Sequence, residues 1–269
     1  MSLLHYLIIS FIQAITEFLP ISSSGHLLLY KGLFNINDIP IVFDIVVHIG
    51  SMVAIVVFYR QKIISMFTNS WSELLSKQEI KPNTKILFYI IFSTVVTFIF
   101  YVLFKKSIES LYQSPSILFV TFLFTSIILF FTCLSKQKER SLIYTSNWGI
   151  ILPIIVGLFQ GFAIMPGVSR SGATISPLLL MGIRREEAVF YSFCLAVPAI
   201  LGAFISNLLK MENIAFISNN FKILIFSLIV SFVFSYVFLN ILIYIVRQGR
   251  FWIFSFYTLL LAIISLIVF

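Results

Sequence analysis

The sequence predicts an all-α polytopic membrane protein made of two inverted-topology repeats, each a re-entrant broken helix pair plus three transmembrane helices. Three observations carry that prediction. Of 269 residues, 60% are hydrophobic and 10% charged, with a mean hydropathy of +1.07, whereas a soluble domain carries about 25% charged residues. Apolar runs such as Ile86 to Phe104 and Phe251 to Phe269 exceed the roughly 18 residues needed to cross a hydrocarbon core of about 30 Å. Finally, a constant offset of 147 pairs Gln13 with Gln160, Ser22 with Ser169, Ser24 with Ser171 and Gly25 with Gly172, then Val42 with Val189 and Phe43 with Phe190. Apolar matches are cheap in such a chain, but polar and glycine matches this dense signal a repeated unit.

Taken in order, the first element runs from about Leu3 to Leu33 and is broken at Pro20 to His26. It has no basic leader and contains Gln13, Thr16 and Glu17, so it is expected to stay in the mature protein and not to leave as a signal peptide. Full spans are expected at about Pro40 to Tyr59, Thr84 to Phe104 and Pro115 to Leu134. A charged connector, Ser135 to Asn147, carries Lys136, Lys138, Glu139 and Arg140. The pattern then recurs: a stretch from about Trp148 to Ile183 broken at Pro166 to Thr174, and spans at about Glu187 to Leu208, Phe221 to Val246 and Phe251 to Phe269. The chain therefore reads as a single integral membrane domain with repeats at about 1–134 and 148–269. Each half crosses the bilayer an odd number of times, which inverts the second half and sets the two broken segments face to face, as in many transporters.

Charge gives orientation. Of the 18 lysines and arginines, Lys31, Lys105, Lys106, Lys210 and Lys222 fall on the N-terminal side, Arg170 lies inside a motif, and the other twelve fall opposite. The positive-inside rule then puts both termini on the extracytoplasmic side. The same scatter, with no aromatic-interleaved basic stripe, argues against nucleic acid. Cys133 and Cys194 stand alone in apolar runs, without the spacing of a disulfide or metal site. Trp71, Trp148 and Trp252 sit in loops or near span ends, where an interfacial belt residue is the plain reading.

The two breaks carry the chemistry. Irregular backbone at membrane depth is tolerated only where it lines a protein-buried or watery cavity. Pro20-Ile-Ser-Ser-Ser-Gly-His26 and Pro166-Gly-Val-Ser-Arg-Ser-Gly-Ala-Thr174 offer glycines for close backbone approach, small hydroxyl donors and the positive ends of the following half-helices. That set suits an anion, phosphate above all, and Arg170 adds a planar bidentate clamp. Ser22, Ser24, Gly25, Gly167, Ser169, Ser171, Gly172 and Thr174 are the expected phosphate-binding positions. A helix-packing patch of small residues is the bland alternative, and Arg170 speaks against it.

Glu17, one turn after Gln13, and His26, just past the break, are ionisable groups at membrane depth and hence functional candidates. With Ser23 and Arg170 they supply a proton acceptor, a group titrating near neutrality, a hydroxyl and a phosphate clamp. Glu17 has a structural alternative as partner to Arg170. His48, four residues after Asp44, reads equally as a cavity residue or a structural histidine.

The run from Gln13 to His26 and the PGxSRSxxT pattern of Pro166 to Thr174 closely resemble the two signature motifs of the bacterial undecaprenyl-diphosphatase, or bacitracin-resistance, family. The segment Phe43 to Gly50, the length and the span pattern agree, so the resemblance covers essentially the whole chain. It implies a hydrolase acting on a phosphoric anhydride, which converts undecaprenyl diphosphate to undecaprenyl phosphate and inorganic phosphate and so recycles the carrier lipid for peptidoglycan. It implies a multi-pass protein of the bacterial cytoplasmic membrane, with a cavity open to the outer face, dependence on Mg²⁺ or Ca²⁺, and surrounding membrane lipids, with a homodimer as a possible assembly. Bacitracin would compete for the polyprenyl diphosphate and not for the protein. By motif position the functional residues are Glu17, Ser23, His26, Ser169, Arg170 and Thr174, with Glu17 and Gln13 as the metal candidates. Some members have glutamate where this chain has Gln13, so Glu17 would carry any acidic role alone. Whether Ser23 or a water is the nucleophile stays open, and a polyprenyl-phosphate flippase or other anion or lipid transporter is the alternative function.

Overall fold

The computed structural model describes residues 3–34, 41–76, 82–135, 141–142, 149–208 and 211–269, and the regular elements among them are helices. In chain order these are α1 (Leu3–Phe18), α2 (Ser23–Phe34), α3 (Ile41–Phe58), α4 (Arg60–Ser76), α5 (Pro82–Tyr112), α6 (Leu118–Phe131), α7 (Ile151–Phe162), α8 (Arg170–Leu180), α9 (Arg185–Leu208), α10 (Met211–Arg247) and α11 (Phe254–Val268). Among the described residues five stretches are long and apolar enough to cross a membrane: Thr84–Tyr112, Pro115–Leu134, Arg185–Ser206, Phe216–Arg247 and Phe251–Val268. The bent pair Val42–Phe58 and Arg60–Glu73 makes a sixth. The chain is a multi-pass membrane protein.

The expected spans are present, with three local differences. The first break is confined to residues 19–22, because α2 already begins at Ser23; the second opens after Phe162 and closes at Arg170, earlier at both ends than Pro166 to Thr174. The span expected to end at Phe104 continues as helix to Tyr112, carrying Lys105 and Lys106 within it. Between the first and second full spans, where no element is expected, α4 leaves α3 at an angle of 72°. Its buried Met66, Ser70 and Glu73 recur at helical spacing against α5, while Ile64, Phe67 and Trp71 form an exposed apolar stripe on the other side. Most of the charged connector, with Lys136, Lys138, Glu139 and Arg140, lies outside the described residues, as do Lys77, Lys81, Trp148 and Lys210.

α1 and α7 have only 16 and 12 residues, too short to cross alone, and each hands over through its break to α2 or α8. α1 packs on α10, and α7 packs on α5; α6 pairs with α11, and α3 contacts both α9 and α10. Small and hydroxyl residues set these approaches, as expected where lipid removes the hydrophobic drive between helices. Gly50 on α3 faces Ser231 and the Leu228 carbonyl of α10, and Gly157 on α7 faces Val96 and the Ser93 carbonyl of α5. Buried Phe18, Tyr191, Phe193 and Leu195 fill the centre between the halves.

Candidate active site

The last turn of α1, the first turn of α8 and the start of α2 converge on one carboxylate. Gln13 and Glu17, four residues apart, share a face of α1, and the Gln13 amide donates to Glu17 Oε2 at 2.8 Å. Ser23 Oγ donates to the same oxygen at 2.8 Å. Glu17 Oε1 receives Arg170 NH2 at 2.7 Å. His48 Nε2 stands 3.5 Å from Oε2, its Nδ1–H held by its own Asp44 carbonyl at 2.7 Å. Glu17 is buried, whereas Ser23, His48 and Arg170 keep partial exposure, so the cluster is sealed on the α1 side and reachable from the other. Arg170 NH1 also points to the Ser192 carbonyl, 3.4 Å away, and its guanidinium lies 5.5 Å from the centre of the Phe193 ring.

The two loops are near-copies. Ser22 Oγ accepts from Gly25 N at 3.2 Å and Ser169 Oγ accepts from Gly172 N at 3.1 Å, each capping the helix that follows. Ser22 and Ser24 hydroxyls are 3.4 Å apart, Ser169 and Ser171 hydroxyls 3.3 Å. The copies differ at the cap itself: Ser22 has φ 68, a left-handed backbone rare outside glycine, while Ser169 is extended. The loops also touch. A methyl group on Gly25 would lie 3.0 Å from the Gly167 Cα, besides striking the Phe122 ring, and one on Gly172 would lie 3.5 Å from Pro20. Gly167, at φ +89, needs glycine for its backbone as well.

The expected binding residues divide by what their side chains do. Ser22 and Ser169 spend their hydroxyls on caps. Ser171 reaches toward the Leu19 carbonyl, 3.4 Å away. Thr174 is buried, donates to the Arg170 carbonyl and meets the Ser192 hydroxyl. These contacts shape the loops; the caps use the Ser22 and Ser169 oxygens as acceptors only, and Arg170, Ser23, Ser24 and the first-turn N–H groups of α2 and α8 stand beside them as donors for an anion.

His26 stands apart from the carboxylate. Its Nδ1–H donates to the Ser22 carbonyl at 2.7 Å, and Nε2 meets the Tyr257 hydroxyl at 2.9 Å, with the two rings stacked at 5.7 Å. Ser23 is therefore hydrogen-bonded to Glu17 and not to His26.

Three partners escape a reading of the sequence. Thr125 of α6 clamps the second loop by donating to the Gly167 carbonyl and accepting from Ser169 N; Ser192 and Tyr257 are the others. Each sits beside another hydroxyl residue in an apolar span (Ser126, Tyr191 and Thr258), and nothing in the sequence says which of the two turns to the loops. Gln160, the repeat mate of Gln13, turns to Thr97 and does not join the site.

The family described as bacitracin resistance protein BacA matches residues 6–264. The chain belongs to this family. Among curated proteins it is similar to an undecaprenyl-diphosphatase of Methanosphaera stadtmanae, 32% identical over 277 residues that cover 99% of this chain and 98% of that protein. It is also similar to the undecaprenyl-diphosphatases of Thermotoga petrophila, 37% identical over 97% of this chain and 99% of that protein, and of Thermotoga maritima, 37% identical over 96% and 98%.

The donor set fits a divalent cation held largely by phosphate. Gln13 Oε1 is buried without a hydrogen-bond partner, beside Glu17. Among the described residues no group of three or more His, Cys, Asp or Glu forms a metal cage. Gln13 and Glu17 would then supply the protein ligands, with phosphate oxygens and water completing the shell, the usual mode for Mg²⁺.

Proposed function

We propose that the protein hydrolyses undecaprenyl diphosphate to undecaprenyl phosphate and inorganic phosphate, with Ser23 as nucleophile and Glu17 as its base. The observation that carries the assignment is the 2.8 Å hydrogen bond from Ser23 Oγ to Glu17 Oε2, a nucleophile held against a proton acceptor. Arg170 is bound to the other carboxylate oxygen. Its remaining N–H groups would hold the oxygens of the terminal phosphate beside Ser23.

In the first step the Ser23 oxygen bonds to the terminal phosphorus while its proton passes to Glu17. The bridging P–O bond breaks, and the polyprenyl monophosphate leaves with the bond's electrons. A water then attacks the phosphoserine, giving inorganic phosphate and returning the proton to Ser23. Arg170 and the first-turn N–H groups of α2 and α8 meet the charge that develops on the phosphoryl oxygens. A divalent cation, when bound, offsets diphosphate charge as a Lewis acid. His26 would handle protons on the Tyr257 side.

The exchange of partners between halves, α1 on α10 and α7 on α5, together with the matched loops, supports two inverted repeats. The cation asymmetry supports both termini outside, and family membership supports a bacterial cytoplasmic membrane protein with a site open to the outer face. Bacitracin would then act by sequestering the lipid diphosphate, so that more enzyme means more resistance.

The test is phosphate release from a polyprenyl diphosphate by the purified protein, wild type beside Arg170→Ala, with and without chelator. Release that needs a divalent cation and vanishes in the variant is expected. A folded wild-type protein that releases nothing would leave the transporter reading in its place. Stopping turnover with acid should leave ³²P on Ser23, and none in Ser23→Ala.

A further inference from the structure

Away from the motifs, a cavity of about 270 Å³ opens where α3 turns into α4, between that elbow and the facing ends of α9 and α10. Phe58, Tyr59 and Ile243 give it an apolar side; Lys62, Glu186 and Arg247 give it a charged one. The charges do not balance. Arg247 meets Glu186 at 2.9 Å, a pair more than half exposed on both sides and therefore weak. Lys62 has no carboxylate partner among the described residues and lies only over the Phe190 ring, 5.3 Å from its centre.

From this elbow α4 departs at 72° to α3. Its mixed composition, with Lys62, Asn69 and Glu73 among the apolar residues, suits a helix lying along the bilayer surface better than one crossing it. Its exposed stripe of Ile64, Phe67 and Trp71, 61%, 56% and 69% accessible, has the spacing and chemistry of a face laid into the headgroup boundary.

We propose that this elbow is a binding site for one anionic phospholipid. The phosphate would be held between Lys62 and Arg247, the glycerol near the Tyr59 hydroxyl, and the acyl chains would run against Phe58 and Ile243 beneath α4. With both termini outside, as proposed from the cation asymmetry, this end of the molecule meets the cytoplasmic leaflet, whose surface is negative, and basic pockets between spans on that side suit lipid headgroups. The site is built from residues that take no part in the hydrolysis, so it stands or falls separately from the phosphatase assignment.

The test is native mass spectrometry of the full-length protein titrated with phosphatidylglycerol or phosphatidylcholine, with inorganic phosphate as competitor and hydrolysis measured on the same preparations. Wild type should retain one phosphatidylglycerol in preference to phosphatidylcholine, and free phosphate should not displace it. Lys62→Gln should weaken phosphatidylglycerol about fivefold, the effect of one surface cation, while Lys62→Arg binds as wild type; both should hydrolyse substrate normally. Equal retention of the two lipids, displacement by free phosphate, or unchanged affinity in Lys62→Gln would overturn the site. Absence of hydrolysis in wild type with lipid preference intact would count against the phosphatase reading and not against this one.

Discussion

At Glu17 four side chains meet, and their geometry ranks them. Arg170→Ala leaves a buried carboxylate without its cation, a loss of about 3–5 kcal/mol where such pairs are broken from one side, and it removes the phosphate clamp. Activity should fall at least about 100-fold. Glu17→Gln keeps the shape but cannot take the Ser23 proton, so acid-quenched samples should carry no phosphoserine even though the protein melts cleanly. Ser22 poses a contest of signs. Ser22→Ala discards a cap worth about 1 kcal/mol while keeping the left-handed φ, whereas Ser22→Gly loses the cap but relieves a strain of about 1–3 kcal/mol. Thermal unfolding should therefore order the variants with alanine below glycine. In the sequence, Glu17, Ser23 and Arg170 were legible because charge and hydroxyls are costly at membrane depth. The partner of Ser23 was not, because His26 lies three residues from it along the chain and Glu17 six, and only the short break at residues 19–22 turns the hydroxyl to the more distant one.

The elements were legible wherever a span declared itself by length, and less so at their ends. Proline and glycine mark a break but not its edges: a serine cap can start a helix right behind them, as Ser22 and Ser169 do. Helix α4 was hidden because its apolar residues are thinned by Lys62, Asn69 and Glu73, so no run stands out. Contact between the loops depends on glycine, and Gly25→Ala should cost about 1–3 kcal/mol by overpacking, read as a lower melting temperature. Phe122→Leu should recover part of that loss by drawing back the ring. Thr125→Val should act on the second loop alone, orphaning the Gly167 carbonyl and the Ser169 N–H at a cost of about 1–3 kcal/mol each; activity should drop with Glu17 and Ser23 untouched.

For the whole molecule, the likeness of the two loops could be seen in the offset of 147, but the way the first and second halves of the chain interlock could not, because packing partners leave no mark on a single sequence. That interlock matters before the protein is finished. α1 settles against α10, and Glu17 against Arg170, yet both partners are translated after the entire first half. A ribosome halfway through the message has produced a membrane segment with an unanswered carboxylate and an uncovered helix face. Assembly must wait for the second half, and the charged stretch Ser135 to Asn147 of the sequence should be a place where the gene can be cut. Two co-expressed half-chains should meet in the bilayer and restore phosphate release, and either one alone should be cleared by membrane proteases.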